Sequence, residues 1–263
     1  MSPPTVFLFC LAGIGLLTAS VPAQFKTRLK PETGQAFEEY VSRFEKNQPP
    51  AGEDFLWIDG RPESVRVRAR NGEIVLHHYK VDIKVPDGMI HDWLGSVFIP
   101  GADAGEVVSL IRNYDIHAKH YAEALDSRLI ENKENTVRGF HRLRKKKVLT
   151  VVLNAEFLMK IHAFEDGRWY IPCVSTRITE IADPGKPTEK ELPVGEGRGF
   201  LWRLNSYWFI EQAEDGVWAE CRSISLSRDI PWVLGWIIRP FVESTPRETL
   251  ISVLGTTRDL CAK

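Results

Sequence analysis

Val148-Leu149-Thr150-Val151-Val152-Leu153-Asn154-Ala155-Glu156-Phe157-Leu158-Met159-Lys160-Ile161-His162-Ala163 is the stretch that decides the fold. Leu149, Val151, Leu153, Ala155, Phe157, Met159, Ile161 and Ala163 occupy alternate positions, and all are apolar. Thr150, Asn154, Glu156, Lys160 and His162 stand between them. Successive strand side chains point to opposite faces. The stretch therefore predicts a long antiparallel strand with one dry side and one wet side. The same period of two recurs in Leu125–Glu131, Val137–Lys147, Trp169–Ile181, Gly199–Glu211 and Val217–Leu226. Turn residues separate these segments: Asn135, Glu165-Asp166-Gly167, Asp183-Pro184-Gly185 and Asp215-Gly216.

Upstream, Ile90–Ile99 reads as a strand closed by Pro100-Gly101. Asp103 with Glu106 forms a capping box for a helix whose apolar stripe is Val107, Leu110, Ile111 and Tyr114. A short helical piece near Ala118–Ala124 is expected to follow. At the other end Thr245 can cap a final helix, with Pro246 at its first position and Glu248 completing the box. Leu250, Val253, Leu254, Thr257 and Cys261 form its inner stripe, with Arg258 at the edge. A sheet with one dry face must hide it, and this helix is the natural cover. The expected architecture is α+β: a curved antiparallel sheet wrapped around a long C-terminal helix. Space between the two, lined by Leu, Val, Phe, Met and Trp, would suit an apolar ligand. The sequence leaves it either open or filled by side chains.

Before this block stands an extension, residues 24–86. Glu32–Asn47 carries Phe37, Tyr40, Val41 and Phe44 on one helical stripe. Phe55–Ile58 is a short strand candidate. Ser64–Arg70 and Glu73–Val85 flank Asn71-Gly72, the strongest short signal for a β-hairpin. Pro86-Asp87-Gly88 is a turn and marks the boundary to the main domain, 87–263. His77-His78, adjacent in a strand, point to opposite faces and do not suggest a metal site.

Residues 1–23 read as a secretory signal peptide. The run Val6–Ala19 is apolar, the segment carries no charged side chain, and it ends at Val21-Pro22-Ala23. An apolar run this short falls below the roughly 20 residues a span needs. The expected location is outside the cytoplasm, periplasmic or secreted, and the lack of an Asn-x-Ser/Thr sequon leans towards the periplasm. A hydrophobic fraction of 43% suffices for a core in the remaining chain, and a net charge of −1 argues against nucleic acid as a partner. Three cysteines follow the leader: Cys173, Cys221 and Cys261. They make neither a disulfide framework nor a zinc site. Cys173 and Cys221, on two expected strands, form either one bridge or two buried thiols.

Several stretches together resemble the START-like (SRPBCC, Bet v 1-like) helix-grip superfamily over about Asp87–Leu260. His91-Asp92-Trp93-Leu94-Gly95-Ser96-Val97-Phe98-Ile99-Pro100 resembles its first strand, and Arg112-Asn113-Tyr114-Asp115 the end of its first helix. Gly199–Trp208 followed by Gly216–Cys221 resembles its penultimate hairpin. Ser225–Pro231 and Pro246-Arg247-Glu248-Thr249-Leu250 resemble the approach to its closing helix. The resemblance implies a cavity for a lipid, sterol, quinone or polyketide-like molecule. Relatives mostly bind or carry such ligands, and some are cyclases or hydroxylating enzymes. The extension either packs on the sheet or covers the cavity mouth.

The sequence holds no phosphate loop, zinc-protease motif or nucleophile elbow. No cofactor and no metal are expected. The expected ligand-binding residues are Leu153, Phe157, Met159, Trp202, Trp208, Leu250 and Leu254. Trp202 and Trp208 share a strand face by parity, with Phe200, Leu204 and Ile210. Arg138, Arg142, Arg144, Lys145, Lys146 and Lys147 form a basic cluster. Arg142, Arg144 and Lys146, with Trp232 and Trp236 four residues apart, are the candidates for polar or transient membrane-surface contacts. His117 and His120, with Asp115 or Glu123, could make a metal or acid–base pair, or be polar residues at a helix junction; His141 and His162 sit in strands without neighbours suggesting ligation. Arg203 and Glu220 make either a buried pair holding a ligand head group or, preferably, a cross-strand ion pair on the wet face. Three functions follow: a non-enzymatic binding or transfer protein for a hydrophobic small molecule, a cyclase- or aromatase-type enzyme, or an envelope interaction module with a filled cavity.

Overall fold

The computed structural model describes residues 26–48, 55–146, 150–229 and 235–263. The expected signal peptide and Trp232 lie outside these residues. The elements, in chain order, begin with β1 (Thr27–Arg28), α1 (Pro31–Glu45), a 3₁₀ turn (Trp57–Gly60), α2 (Glu63–Arg70), β2 (Val75–Val85) and β3 (Gly88–Pro100). Then come α3 (Ala104–Arg112), α4 (Tyr114–His120), β4 (Ala124–Lys133), β5 (Thr136–Lys146), β6 (Thr150–Lys160) and β7 (His162–Ala163). The chain closes with β8 (Arg168–Ala182), β9 (Lys190–Glu191), β10 (Glu196–Gly197), β11 (Arg203–Ala213), β12 (Gly216–Arg228) and α5 (Gly235–Cys261).

One antiparallel sheet runs in the order β2-β3-β12-β11-β8-β6-β5-β4, with β7 and β9 joining β8. It grips α5, which packs on β3 and β12. This is the helix-grip arrangement expected from the alternation around β6. On that strand Val151, Leu153, Ala155, Phe157 and Met159 are buried, as is Ile161 just after it. Ala163, expected on the dry face, is exposed in the two-residue β7. Asp103 caps α3 by accepting the Glu106 N–H at 3.1 Å. Gly95 of β3 brings α5 close to the sheet. A Cβ there would stand 2.4 Å from Leu254 Cδ1.

Both faces of the sheet are covered. On the inner face α3 and α5 bury Val97, Ile99, Val107, Ile171, Ile210 and Leu254. On the outer face α1, the 3₁₀ turn and α2 bury Phe37, Val41, Ile58, Phe98, Tyr207 and Ile224. The extension therefore packs on the sheet, on the side away from α5. Its β2 is the edge strand of the same sheet, so the sheet crosses the boundary drawn after Pro86.

Four expectations need correction. Ser64–Arg70 is not a strand. Glu63–Arg70 is helical, and Asn71-Gly72 ends the helix instead of turning a hairpin. Gly72 has φ +85°, its N–H reaches the Ala69 carbonyl at 3.0 Å, and the Glu73 N–H reaches Arg68 at 3.1 Å. That is a Schellman C-cap, which needs the same positive-φ residue as a hairpin turn. The hairpin of the extension is β2–β3, turning at Pro86-Asp87. Phe55–Ile58 is not a strand either, because the Trp57 and Ile58 N–H groups are taken by the Glu220 carboxylate at 2.8 and 2.9 Å. The second short helix lies at Tyr114–His120, upstream of Ala118–Ala124. Finally, α5 begins at Gly235, so Thr245-Pro246 lies within it. The helix is already formed upstream of Thr245, so the start signal there goes unused and the Thr245 hydroxyl caps nothing.

Candidate ligand cavity

Between α5, the α3–α4 corner and the inner sheet face lies a cavity of about 190 Å³. Its wall is mostly apolar: Ile111, Leu143, Phe157, Leu204, Trp208, Leu250 and Val253. A second space of about 110 Å³ adjoins it, lined by Val151, Leu153 and Phe200 among others. The two share Glu123, Leu143, Leu204, Ser223 and Thr249. At that shared wall Lys145 pairs with Glu123, and the Thr249 hydroxyl donates to Glu123 Oε2 at 3.0 Å. This latch ties α5 to the β4 and β5 side of the sheet.

The cavity holds a small set of polar groups, each placed by its element. Tyr114, at the start of α4, lies flat over Gly139 of β5, where a Cβ would sit 2.2 Å from the phenol ring. Its hydroxyl contacts Cys173 Sγ at 3.4 Å. One turn later, His117 Nε2 reaches the Leu110 carbonyl at 3.0 Å, and its Nδ1 reaches His141 Nε2 at 2.9 Å. Tyr121 OH meets Thr257 Oγ1 at 3.0 Å, and Thr257 in turn donates to the Val253 carbonyl at 2.9 Å.

Burial sets the charge state of this group. It lowers the pKa of His117, and it pushes His141 down to about 3, with the neighbouring His117 adding to the effect. Burial also raises the Cys173 thiol to about 11 and raises Cys221 further. Both imidazoles and both thiols are therefore uncharged at neutral pH. Cys173 and Cys221 are free thiols. Strand β11 runs between their strands, pairing Ser206 with Cys173 and Trp208 with Cys221, so the bridge left open from the sequence does not form.

The sequence-expected residues divide. Phe157, Trp208 and Leu250 line the larger space and Leu153 the smaller. Met159 and Leu254 are buried in the same core without lining either. Trp202 lies on the other side of the sheet, packed with the extension. It precedes the first residue of β11, so strand parity does not reach it. Arg142 pairs with Glu189 at 2.8 Å, while Arg144 and Lys146 are exposed. Arg144 borders the smaller space. Trp236 lies within α5.

The acid–base grouping of His117 with His120, Asp115 or Glu123 is not assembled. His120 borders a separate surface groove with Lys263, and Asp115 accepts the Leu129 N–H at 2.8 Å. His117 instead meets His141, which had been read as lacking neighbours. Its parity with Val137, Gly139 and Leu143 was the available signal. Among the described residues no group of three His, Cys, Asp or Glu side chains could hold a metal ion. Arg203 and Glu220 do not pair. Arg203 donates to the Trp202 carbonyl at 3.0 Å, and Glu220 holds the 3₁₀ turn on the outer face.

A sheet of this order, closed on a C-terminal helix with a void between, is a helix-grip architecture. No protein-family model and no curated protein matches the sequence. START-like solved structures do resemble it. A fragment of the STAR-related lipid transfer protein from Xanthomonas axonopodis is 17% identical, with 70% of this chain and 98% of that chain covered at a TM-score of 0.43. The Zhui aromatase/cyclase from Streptomyces sp. R1128 is 8% identical, covering 65% and 93% at 0.46. Human STARD10 is 11% identical, covering 77% and 79% at 0.43.

Proposed function

We propose that the protein binds and carries an apolar or amphipathic small molecule in this cavity, without chemical turnover, in an aqueous compartment outside the cytoplasm. The observation that carries the reading is the void itself, walled by Phe157, Trp208, Leu250 and Val253, with neutral imidazoles, phenols and thiols in its wall and its one carboxylate, Glu123, paired with Lys145. Such lining favours desolvation of an apolar guest and supplies few directional contacts to orient it. A dry cavity of about 150 Å³ can accept a benzene-sized molecule. A space of about 190 Å³ with a 110 Å³ annex suits a bicyclic ring or a short chain.

The cyclase- or aromatase-type reading has one favourable observation, the presence of His117, Tyr121 and His141 in the cavity wall. Their titration weighs against it. A base whose pKa is held near 3 is poorly matched to proton transfer at neutral pH. Tyr121 is shifted upward by burial, away from the acid range.

Native mass spectrometry of gently purified protein tests the binding reading. A co-purifying apolar molecule, or uptake from a panel of lipids and quinones, is expected. Protein that stays empty against the whole panel would refute it. N-terminal sequencing of the exported product tests the compartment, with a mature chain starting at Gln24 as the expected outcome.

A further inference from the structure

We propose that the cavity selects an apolar guest carrying one hydrogen-bond donor, an alcohol, phenol or aromatic N–H, which is received by Nδ1 of His141. This rests on the binding reading above and names the chemistry of the guest.

One chain of hydrogen bonds fixes the tautomers of both histidines. The Leu110 carbonyl can only accept, so the His117 nitrogen 3.0 Å from it, Nε2, carries a proton. A neutral imidazole has one protonated nitrogen, so His117 Nδ1 is bare and accepts. Its partner at 2.9 Å, His141 Nε2, must then donate. His141 is neutral as well, which leaves its Nδ1 bare. A backbone carbonyl on α3 thus fixes the tautomer of a side chain on β5, two hydrogen bonds away.

Nδ1 of His141 has no protein donor among the described residues, and it is not among the side-chain atoms sealed without a partner. His141 forms part of the cavity wall, and Nδ1 is the ring nitrogen it has left to offer a guest. The neighbouring hydroxyls are engaged. Tyr121 donates to Thr257, whose own proton goes to the Val253 carbonyl, and Tyr114 is bonded to Cys173. An acceptor in an apolar void gains most from a guest that brings a donor, and it penalises a guest that brings only another acceptor.

Indole and benzofuran are the probes, because they match in size and differ in donating N–H against accepting oxygen. Isothermal titration of the full chain should show indole binding at least threefold tighter than benzofuran. In His141→Phe the preference should reverse, since benzofuran is the less polar of the two. Equal binding in the native protein, or a preference that survives His141→Phe, would overturn the inference while leaving the cavity reading intact. Failure of both probes to bind would overturn the cavity reading itself. The tautomers have a direct readout that needs no variant. Long-range ¹⁵N–¹H correlation spectra should show both His117 and His141 protonated at Nε2 only, with the His141 Nδ1 resonance moving on addition of indole. A proton on Nδ1 of either residue would refute the inference.

Discussion

Around the void on the inner face of the sheet the buried polar groups are mostly neutral imidazoles, phenols and thiols, although the buried Glu180, paired with Arg198, stands opposite Leu153 on the same face. The outer face carries buried carboxylates packed under the extension. Asp92, fully buried on β3, takes two hydrogen bonds from the Arg222 guanidinium, at 2.9 and 2.6 Å, and a third from Tyr40 at 2.6 Å. Glu220, two residues away on β12, takes two backbone N–H groups from the 3₁₀ turn. Tyr207 donates to Glu45 of α1 at 2.7 Å. Every one of these contacts joins the extension or the sheet to a fixed partner. The difference teaches which face is built to stay closed. A buried charge tolerates only an arrangement that satisfies it, whereas a neutral, mostly apolar wall can exchange a guest.

The sharpest way to break that contrast is on the outer face. Arg222→Ala leaves the Asp92 carboxylate buried and stripped of two donors, and should cost about 3–5 kcal/mol in urea denaturation. Replacing both residues by Leu should recover much of the loss. A cost under about 1 kcal/mol would mean that this face is open to water.

The two faces should also respond to pH in opposite directions. Burial raises Glu220 to about 7, above its usual 4.5, so the native state holds its proton more tightly than the unfolded chain. Its contribution is full below about pH 4.5 and is lost as pH rises through about 7. That rise in pKa corresponds to roughly 3 kcal/mol. His141 is depressed to about 3, so its contribution is present above about pH 6.5 and is lost as pH falls towards 3. Melting temperatures followed across this range should therefore lose their decline above pH 5 in Glu220→Gln. In His141→Phe they should lose part of the acid limb instead. Identical pH profiles for both variants and the native chain would contradict the assignment.

A smaller effect is expected from Gly139→Ala on the inner face. The added methyl meets the Tyr114 ring and should cost about 1–3 kcal/mol by overpacking. Because Tyr114 also shapes the cavity wall, the same variant should change guest affinity more than the Arg222 variant does among molecules that remain folded.

Much of the sheet was legible because its signal is local. The alternation through β6 specifies a strand and its dry face without reference to any partner. The inner stripe of α5, Leu250, Leu254 and Thr257, was legible for the same reason. What failed was information held elsewhere in the chain. Asn71-Gly72 satisfies a helix C-cap as well as a hairpin turn, and only the packing of Ala69 of α2 onto the outer face of the sheet decides between them. Phe55–Ile58 looks like a strand until Glu220, more than 160 residues away, claims its N–H groups. In the site, Phe157, Trp208 and Leu250 followed from strand and helix periodicity. Trp202 did not, because parity ends where the strand does. The His117–His141 contact joins α4 to β5; strand parity places His141 on the inner face, but no sequence spacing names His117 as its partner.

The central claim is that the inner face holds a guest and the outer face does not. An electron-density map of crystals grown with indole tests it most directly. The account predicts ring density against Phe157 and Trp208, with the indole nitrogen about 3 Å from His141 Nδ1. A cavity closed by its own side chains, with indole absent or bound only against the extension, would contradict it.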